Sequence, residues 1–263
     1  MKFPTLARSF PLSFALAFGL NLALYAGNAS AQSSNVTVGA VNQTQRDSNN
    51  RQDLDLGNAS GLGRAEATAN SITQDQYDTS NTQRATIGNA SGNGTSRNVF
   101  VGSVNQNQSG QNNAQQLSVG NASGNATSQT SVGTVSQIQS GQRNNQDVQI
   151  GNASGNGRAN VNVGSVTQTQ SGQFNNQQAK VGNASGNAVS NVSMGSVVQG
   201  QSGQFNTQSV NIGNASGDGH SNVSLGGVVQ SQSGSFRNQE VNIGNANHGS
   251  TSVQLGGSVI MQP

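Results

Sequence analysis

The side chains able to do chemistry in this chain are few and mostly of one kind. Cysteine is absent, and the only histidines, His220 and His248, stand in turn regions without a clustered carboxylate set, which makes a poor metal site. No Ser-His-Asp or Cys-His arrangement exists and no paired carboxylates recur, so catalysis is not expected and no cofactor is called for. Gly217-Asp218-Gly219 carries the pattern of calcium-binding loops, but the other copies put Asn where Asp should be, and calcium is rejected. What remains is amides. Two glutamines precede a recurring turn, as Gln43/Gln45, Gln74/Gln76, Gln106/Gln108, Gln137/Gln139, Gln168/Gln170, Gln199/Gln201 and Gln230/Gln232. One follows it, as Gln52, Gln83, Gln115, Gln146, Gln177, Gln208 and Gln239. A carboxamide both donates and accepts, so like amides placed over one another satisfy one another; a buried one without a partner costs about 1–3 kcal/mol.

The elements that must position these amides are written into a repeat. The trailer Leu56-Gly-Asn-Ala-Ser-Gly recurs with its first glycine at 57, 88, 120, 151, 182, 213 and 244, spacings of 31, 32, 31, 31, 31 and 31 residues. A fixed period of this length signals stacked units, each burying its face against its neighbours. Within a unit the periodicity is two. Asn175, Gln177, Ala179 and Val181 alternate with polar, variable residues, as do Asn144, Gln146, Val148 and Ile150, and Asn206, Gln208, Val210 and Ile212. That is a strand with one buried face. The first arm alternates at Val161 and Val163, breaks at Gly164-Ser165, and resumes at Val166, Gln168 and Gln170; Gly102, Gly133, Gly195 and Gly226 repeat the break. Such a glycine marks a bulge or corner. Ser171-Gly172 is a tight turn, and Asn183-Ala-Ser-Gly186 the return turn, which explains Asn-Ala-Ser as turn chemistry rather than a glycosylation signal.

The predicted fold is therefore all-β: a β-solenoid or cross-β stack of seven strand–turn–strand units, 32–61, 62–92, 93–124, 125–155, 156–186, 187–217 and 218–249. A half unit, 250–263, supplies only a first arm, with Val253, Leu255 and Val259 inward and Gln262 aligned to Gln232. Units stacked in register about 4.8 Å apart would lay each amide over its own kind. The expected ladder comprises Gln108, Gln139, Gln170 and Gln201, Asn113, Asn144, Asn175 and Asn206, and Gln115, Gln146, Gln177 and Gln208, around the turn glycines Gly110, Gly141, Gly172 and Gly203. Both terminal units leave open edges, which predicts end-to-end polymerisation.

Composition supports an exported chain of unusual make-up. Lys2 and Arg8, the apolar run from Phe10 to Ala26 and the small-residue site Ala29-Ser30-Ala31 read as a secretory signal peptide over residues 1–31. Beyond it nine basic residues balance nine acidic ones, so the one-signed patch of a nucleic-acid binder is missing. With no cysteine, no disulfide framework holds an exported fold. With 31% hydrophobic, 4% aromatic and 8% charged residues, the chain would pass for disordered but for its periodicity.

Four copies carry a further signature. Gln108-Ser-Gly110-Gln-Asn-Asn113, Gln139-Ser-Gly141-Gln-Arg-Asn144, Gln170-Ser-Gly172-Gln-Phe-Asn175 and Gln201-Ser-Gly203-Gln-Phe-Asn206 all read Q-x-G-x-x-N. This resembles the curlin repeat of bacterial curli, a secreted functional amyloid of biofilm matrix, and more loosely the longer-repeat Fap amyloid subunits. The resemblance implies a homopolymeric fibre at the bacterial surface, passage through an outer-membrane secretion pore, growth from a nucleator subunit, and stacking by the motif Gln and Asn. It implies neither a nucleic-acid partner nor a small-molecule substrate. The chain departs from the pattern in its longer repeat, in Val or Ile six residues after the Asn where curlin has Gln, in Arg237 for the Asn of copy seven, and in Asp47 and Asp78 for the turn glycine. Those two aspartates belong to an acidic pair of first copies that would act as gatekeepers, slowing assembly or capping one end. Phe174, Phe205 and Phe236 form one column, either an outward stack or turn packing. The alternative reading is a monomeric solenoid adhesin or other binding protein; an ice binder is disfavoured because the outward positions are not regular threonines.

Overall fold

The computed structural model describes residues 8–13, 22–26, 29–30, 34–44, 51–60, 64–77, 79–80, 82–92, 95–112, 114–125, 127–143, 145–187, 189–246 and 248–262. All secondary structure among them is strand or turn. The segment read as a leader contributes β1 (Arg8–Ser13), β2 (Leu22–Ala26) and β3 (Ala29–Ser30). Copy one supplies β4 (Ser34–Thr44), β5 (Gln52–Leu56) and β6 (Ala59–Ser60). Each later copy gives one long and one short strand: β7 (Arg64–Asp75) and β8 (Gln83–Ile87), β9 (Thr95–Asn107) and β10 (Gln115–Val119), β11 (Thr127–Ile138) and β12 (Gln146–Ile150). The series continues with β13 (Arg158–Thr169) and β14 (Ala179–Val181), β15 (Val189–Gly200) and β16 (Val210–Ile212), and β17 (His220–Ser231) and β18 (Val241–Ile243). The half unit ends it with β19 (Ser250–Leu255) and β20 (Val259–Gln262).

All strand pairing among the described residues is parallel, each strand lying on its counterpart in an adjacent copy. The long arms form a 10-stranded sheet in the order β1-β4-β7-β9-β11-β13-β15-β17-β19, with β20 also on β17; the short arms form an 8-stranded sheet, β18-β16-β14-β12-β10-β8-β5-β2. The molecule is a β-solenoid in which one copy is one rung, since Val161 pairs with Val192 and Val148 with Ala179, one period on. The core is the slot between the two sheets, filled from the long arm by Val163, Val166, Met194 and Val197 and from the short arm by Val148, Ile150, Val181 and Ile212. Polar residues alternate outward, as the period of two requires.

The bulge positions show why glycine recurs there. A side chain on Gly164 would run into the Gly133 carbonyl oxygen of the rung below, and Gly133, Gly195 and Gly226 meet the glycine below them in the same way. Their φ angles are ordinary, so it is the closeness of stacked backbones that excludes a Cβ. Asn70 stands in this column in copy two, exposed, and nothing in the structure explains how its rung makes room.

The half unit corrects one expected alignment. Leu255 lies on Leu225, but Val259 lies on Val228, so Gln262 falls on Ser231 rather than over Gln232, and Met261 takes the place over Gln230. The reason is one inserted residue: three residues separate Leu255 from Val259, two separate Leu225 from Val228. A slip of one exchanges the faces of a strand. The inward glutamine row therefore stops at copy seven.

Candidate functional site: the stacked amide rows

Among the described residues the glutamines of the three rows are buried, Gln239 of copy seven excepted, and each row bonds in its own way. The first row, Gln43 to Gln230, is an amide ladder over much of its length. Gln74 Nε2 donates to Gln43 Oε1 at 2.7 Å, Gln106 to Gln74 at 2.7 Å, Gln137 to Gln106 at 2.6 Å and Gln230 to Gln199 at 3.0 Å. Where that contact is missing the amide reaches across the slot instead: Gln168 Nε2 donates to the Gln178 carbonyl at 3.0 Å and Gln199 to that of Ser209 at 3.1 Å. These residues tie the two sheets together at the height of the turn.

The second row contains the predicted ladder residues Gln108, Gln139, Gln170 and Gln201, and here the expectation needs correcting. Their main partners lie within their own copy, six residues on. Gln108 Nε2 donates to the Ala114 carbonyl at 2.6 Å, while the Ala114 amide donates back to Gln108 Oε1 at 3.3 Å. Gln139 and Gln170 form the same reciprocal pair with Asn145 and Asn176, and Gln201 donates to the Thr207 carbonyl. One amide–amide contact accompanies them, from Gln108 to Gln76 at 3.4 Å. These glutamines are clamps closing the turn, because the two arms are near enough there for a side chain to reach the opposite backbone.

The third row, Gln115, Gln146, Gln177 and Gln208, does link copies, but to backbone. Gln115 Nε2 donates to the Ile138 carbonyl at 2.8 Å, Gln146 to Thr169 at 2.8 Å, Gln208 to Ser231 at 2.7 Å, and Gln177 to Gly200. Each acceptor ends the long arm of the next copy. The Oε1 atoms of these four are buried and accept no hydrogen bond. In the asparagine row, Asn206 Nδ2 donates to Asn175 Oδ1 at 2.9 Å, both residues being nearly inaccessible. Asn113, Asn144, Asp47 and Asp78 lie outside the described residues.

The turn glycines Gly110, Gly141, Gly172 and Gly203 have φ of 61–62°, and the following Gln111, Gln142, Gln173 and Gln204 are also left-handed, at 49°, 78°, 85° and 88°. Two successive left-handed residues aim backbone groups along the stacking axis. Gly141 N accordingly donates to the Ser171 carbonyl, Gly172 N to Ser202 and Gly203 N to Ser233, at 2.7–2.8 Å, so the ladder continues around the corner. Outside it the phenyl rings of Phe174, Phe205 and Phe236 stack face to face, centroids 4.9 and 5.0 Å apart. All three are exposed, which settles the column as an outward stack.

A second asparagine ladder was read from sequence only as turn chemistry. In the return turns the backbone amide of each Gly-Asn asparagine donates to the side-chain oxygen of the one below: Asn89 to Asn58 at 2.9 Å, Asn121 to Asn89 at 2.7 Å, Asn152 to Asn121 at 2.7 Å, Asn183 to Asn152 at 2.9 Å, Asn214 to Asn183 at 3.1 Å and Asn245 to Asn214 at 3.1 Å. Asn89 Nδ2 also reaches up to the Ser118 carbonyl of the next rung at 3.2 Å. The signal was its constancy: this Asn never varies among the seven copies.

Charge is sparse. Arg51 pairs with Asp53 at 2.8 Å, and Arg84 lies in register over Asp53. Burial pushes the Asp147 carboxyl above its ordinary range, against the opposing pull of a hydrogen bond from Gln149 and the charge of Lys180; burial also raises Asp75. Among the described residues no cluster of three metal-ligating side chains occurs, and His220 Nδ1 lies 2.8 Å from Ser250 Oγ at the surface.

Charge is uneven along the stack. Around β5 and β7 the early rungs carry Arg51, Asp53, Asp55, Arg64 and Glu66, whereas from Val241 onward there is no Lys, Arg, Asp or Glu side chain. At that end Val253, Leu255, Val259 and Ile260 are about two-fifths exposed, the short-arm sheet ends at β18, and the long-arm sheet runs on into β19 and β20. Comparison of the chain with family models, curated proteins and solved structures returned no match.

Proposed function

We propose that this chain is a structural subunit that polymerises end to end into cross-β fibres of an extracellular, biofilm-like matrix, and has no catalytic role. The observation that carries this reading is the in-register parallel stacking of rung on rung, each strand templated on its counterpart and the series continuing into β19 and β20, where Val253, Leu255, Val259 and Ile260 are exposed. Growth would proceed by templated addition, the edge ordering an incoming chain through backbone pairing and the amide rows. Export through a secretion pore and a nucleator subunit belong to the same proposal, on the curlin resemblance.

The test is seeded growth of the purified chain, followed by thioflavin fluorescence and fibre diffraction. Fibres seeded by their own fragments, with an inter-strand reflection near 4.8 Å, are the expected result. A folded monomer that persists at high concentration would overturn the proposal. That outcome would favour a binding solenoid, for which a groove of about 1080 Å³ along the return-turn side, lined by residues such as Asn89, Ser118, Asn121 and Lys180, offers a polar surface.

A further inference from the structure

An exposed apolar side chain standing alone needs no explanation, and Phe100, with Thr68 and Ser131 as its in-register neighbours, is of that kind. The column at the glycine turn is different. Phe174, Phe205 and Phe236 are 47%, 42% and 71% exposed, and their rings stack with centroids 4.9 and 5.0 Å apart and planes within 3° and 6° of parallel. The backbone holds them at this spacing: Phe174 N donates to the Gln142 carbonyl and Phe236 N to that of Gln204, each one copy below, at 3.1 and 3.2 Å. The ridge is therefore ordered before anything docks on it, and little side-chain freedom is left to lose. The turn residues beside it, Ser171 to Gln173, Ser202 to Gln204 and Ser233 to Ser235, carry no charge.

We propose that this phenylalanine ridge is a lateral contact at which two stacks of this chain pair side by side. The inference rests on the end-to-end reading above and adds how filaments associate. Rings that cover one another's faces turn their edges to solvent, so along its length the column offers no free face on which a sugar ring could stack. What fits is a partner whose apolar groups recur along a line every 4.9 to 5.0 Å, so that three rings are met at once. A second copy of this chain has that spacing by construction, and two such columns set side by side make the dry, repeating contact of a steric zipper. Area decides when the contact forms. At about 200 Å² for a whole phenylalanine, the three expose about 300 Å². A stable interface takes about 800 Å² from each partner, so two separate molecules do not pair through this ridge. In a fibre the column recurs in every molecule, and the contacts add along one line with no further orientation to fix. Pairing is thus a property of the fibre and not of the free chain.

The column itself shows which substitutions the turn accepts. Asn112 and Arg143 hold the same position in copies three and four, both exposed, and Arg143 N donates to the Gln111 carbonyl at 3.0 Å as Phe174 N does to Gln142 one copy on. The test compares fibres of the full chain by electron microscopy and mass per length. Wild-type fibres should contain paired filaments with twice the mass per length of one stack. Fibres of Phe174→Asn/Phe205→Asn/Phe236→Asn should be single filaments, a twofold drop, with seeded elongation unchanged. Phe205→Arg alone, which charges the middle of the ridge, should separate the filaments at low ionic strength. Val198→Thr/Val229→Thr is the control: it removes another exposed apolar column, leaves the Thr that Thr167 already places there, and should keep the filaments paired. Single filaments in the wild type, paired ones in the triple variant, or separation by the valine variant instead would each overturn the proposal while leaving end-to-end growth intact. A triple variant that folds but no longer elongates would place the column in axial growth and overturn it as well. A wild-type chain that forms no fibres removes both readings.

Discussion

Gly164→Ala isolates the physics on which the stack depends. The added methyl would fall inside the van der Waals envelope of the Gly133 carbonyl oxygen and 3.2 Å from its carbonyl carbon. An ordinary carbon–oxygen contact is about 3.3 Å or more, so the two backbones must separate by about 1 Å. The ladder between β11 and β13 runs unbroken on both sides of this point, with Val132 on Val163 and Thr134 on Ser165. Bonds near 2.9 Å opened that far cease to be bonds, at about 1 kcal/mol each, and overpacking adds about 1–3 kcal/mol. The loss should total about 2–4 kcal/mol. Gly172 provides the control, since nothing lies within 4 Å of a Cβ built there and only its φ of 62° resists substitution. Gly172→Ala should therefore cost about 1–2 kcal/mol, and Gly172→Asn less, because Asn tolerates the left-handed region. Urea titration of the soluble chain by circular dichroism gives the order. A Gly164→Ala protein within about 0.5 kcal/mol of wild type, or a larger loss from Gly172→Ala, would refute backbone crowding as the reason for the glycine column.

Two further outcomes follow from the turn and the buried carboxylate. Gln173 holds a φ of 85° that penalises a Cβ, so Gln173→Gly should raise the urea midpoint, by about 0.5–1 kcal/mol in stability; a lower midpoint would show that its side chain matters more than its strain. Asp147 has a folded-state pKa above the 3.8 of an exposed aspartate, so the fold binds its proton more tightly and loses stability as pH rises through that window. Asp147→Asn should therefore stabilise the chain at pH 7, with the gain vanishing below about pH 4; equal gains at both pH values would refute the burial argument.

Much of this molecule was legible in its sequence because its information is periodic. A period of 31 demanded one unit per copy, a period of two within each arm assigned faces, and a glycine at the phase break marked where the arm bends. These are local or translational properties, and Val161, Val163 and Val166 lie inward on both sides of Gly164 as the pattern requires. What the pattern could not assign was partners. Gln106, Gln108 and Gln115 are alike in type and all face inward, yet one ladders along the axis, one clamps the turn of its own copy and one donates to the long arm of the next. Periodicity specifies which face a residue occupies. The acceptor within reach of its amide depends on how far away the opposite arm lies and at what height it climbs, and those distances exist only once the rung has closed. The return-turn asparagine bonds and the pairing of residues 22–26 and 29–30 with copy one were hidden for the same reason, each being a relation between segments that only stacking brings together; the slip at Ser258 was countable in the sequence, as one extra residue between Leu255 and Val259.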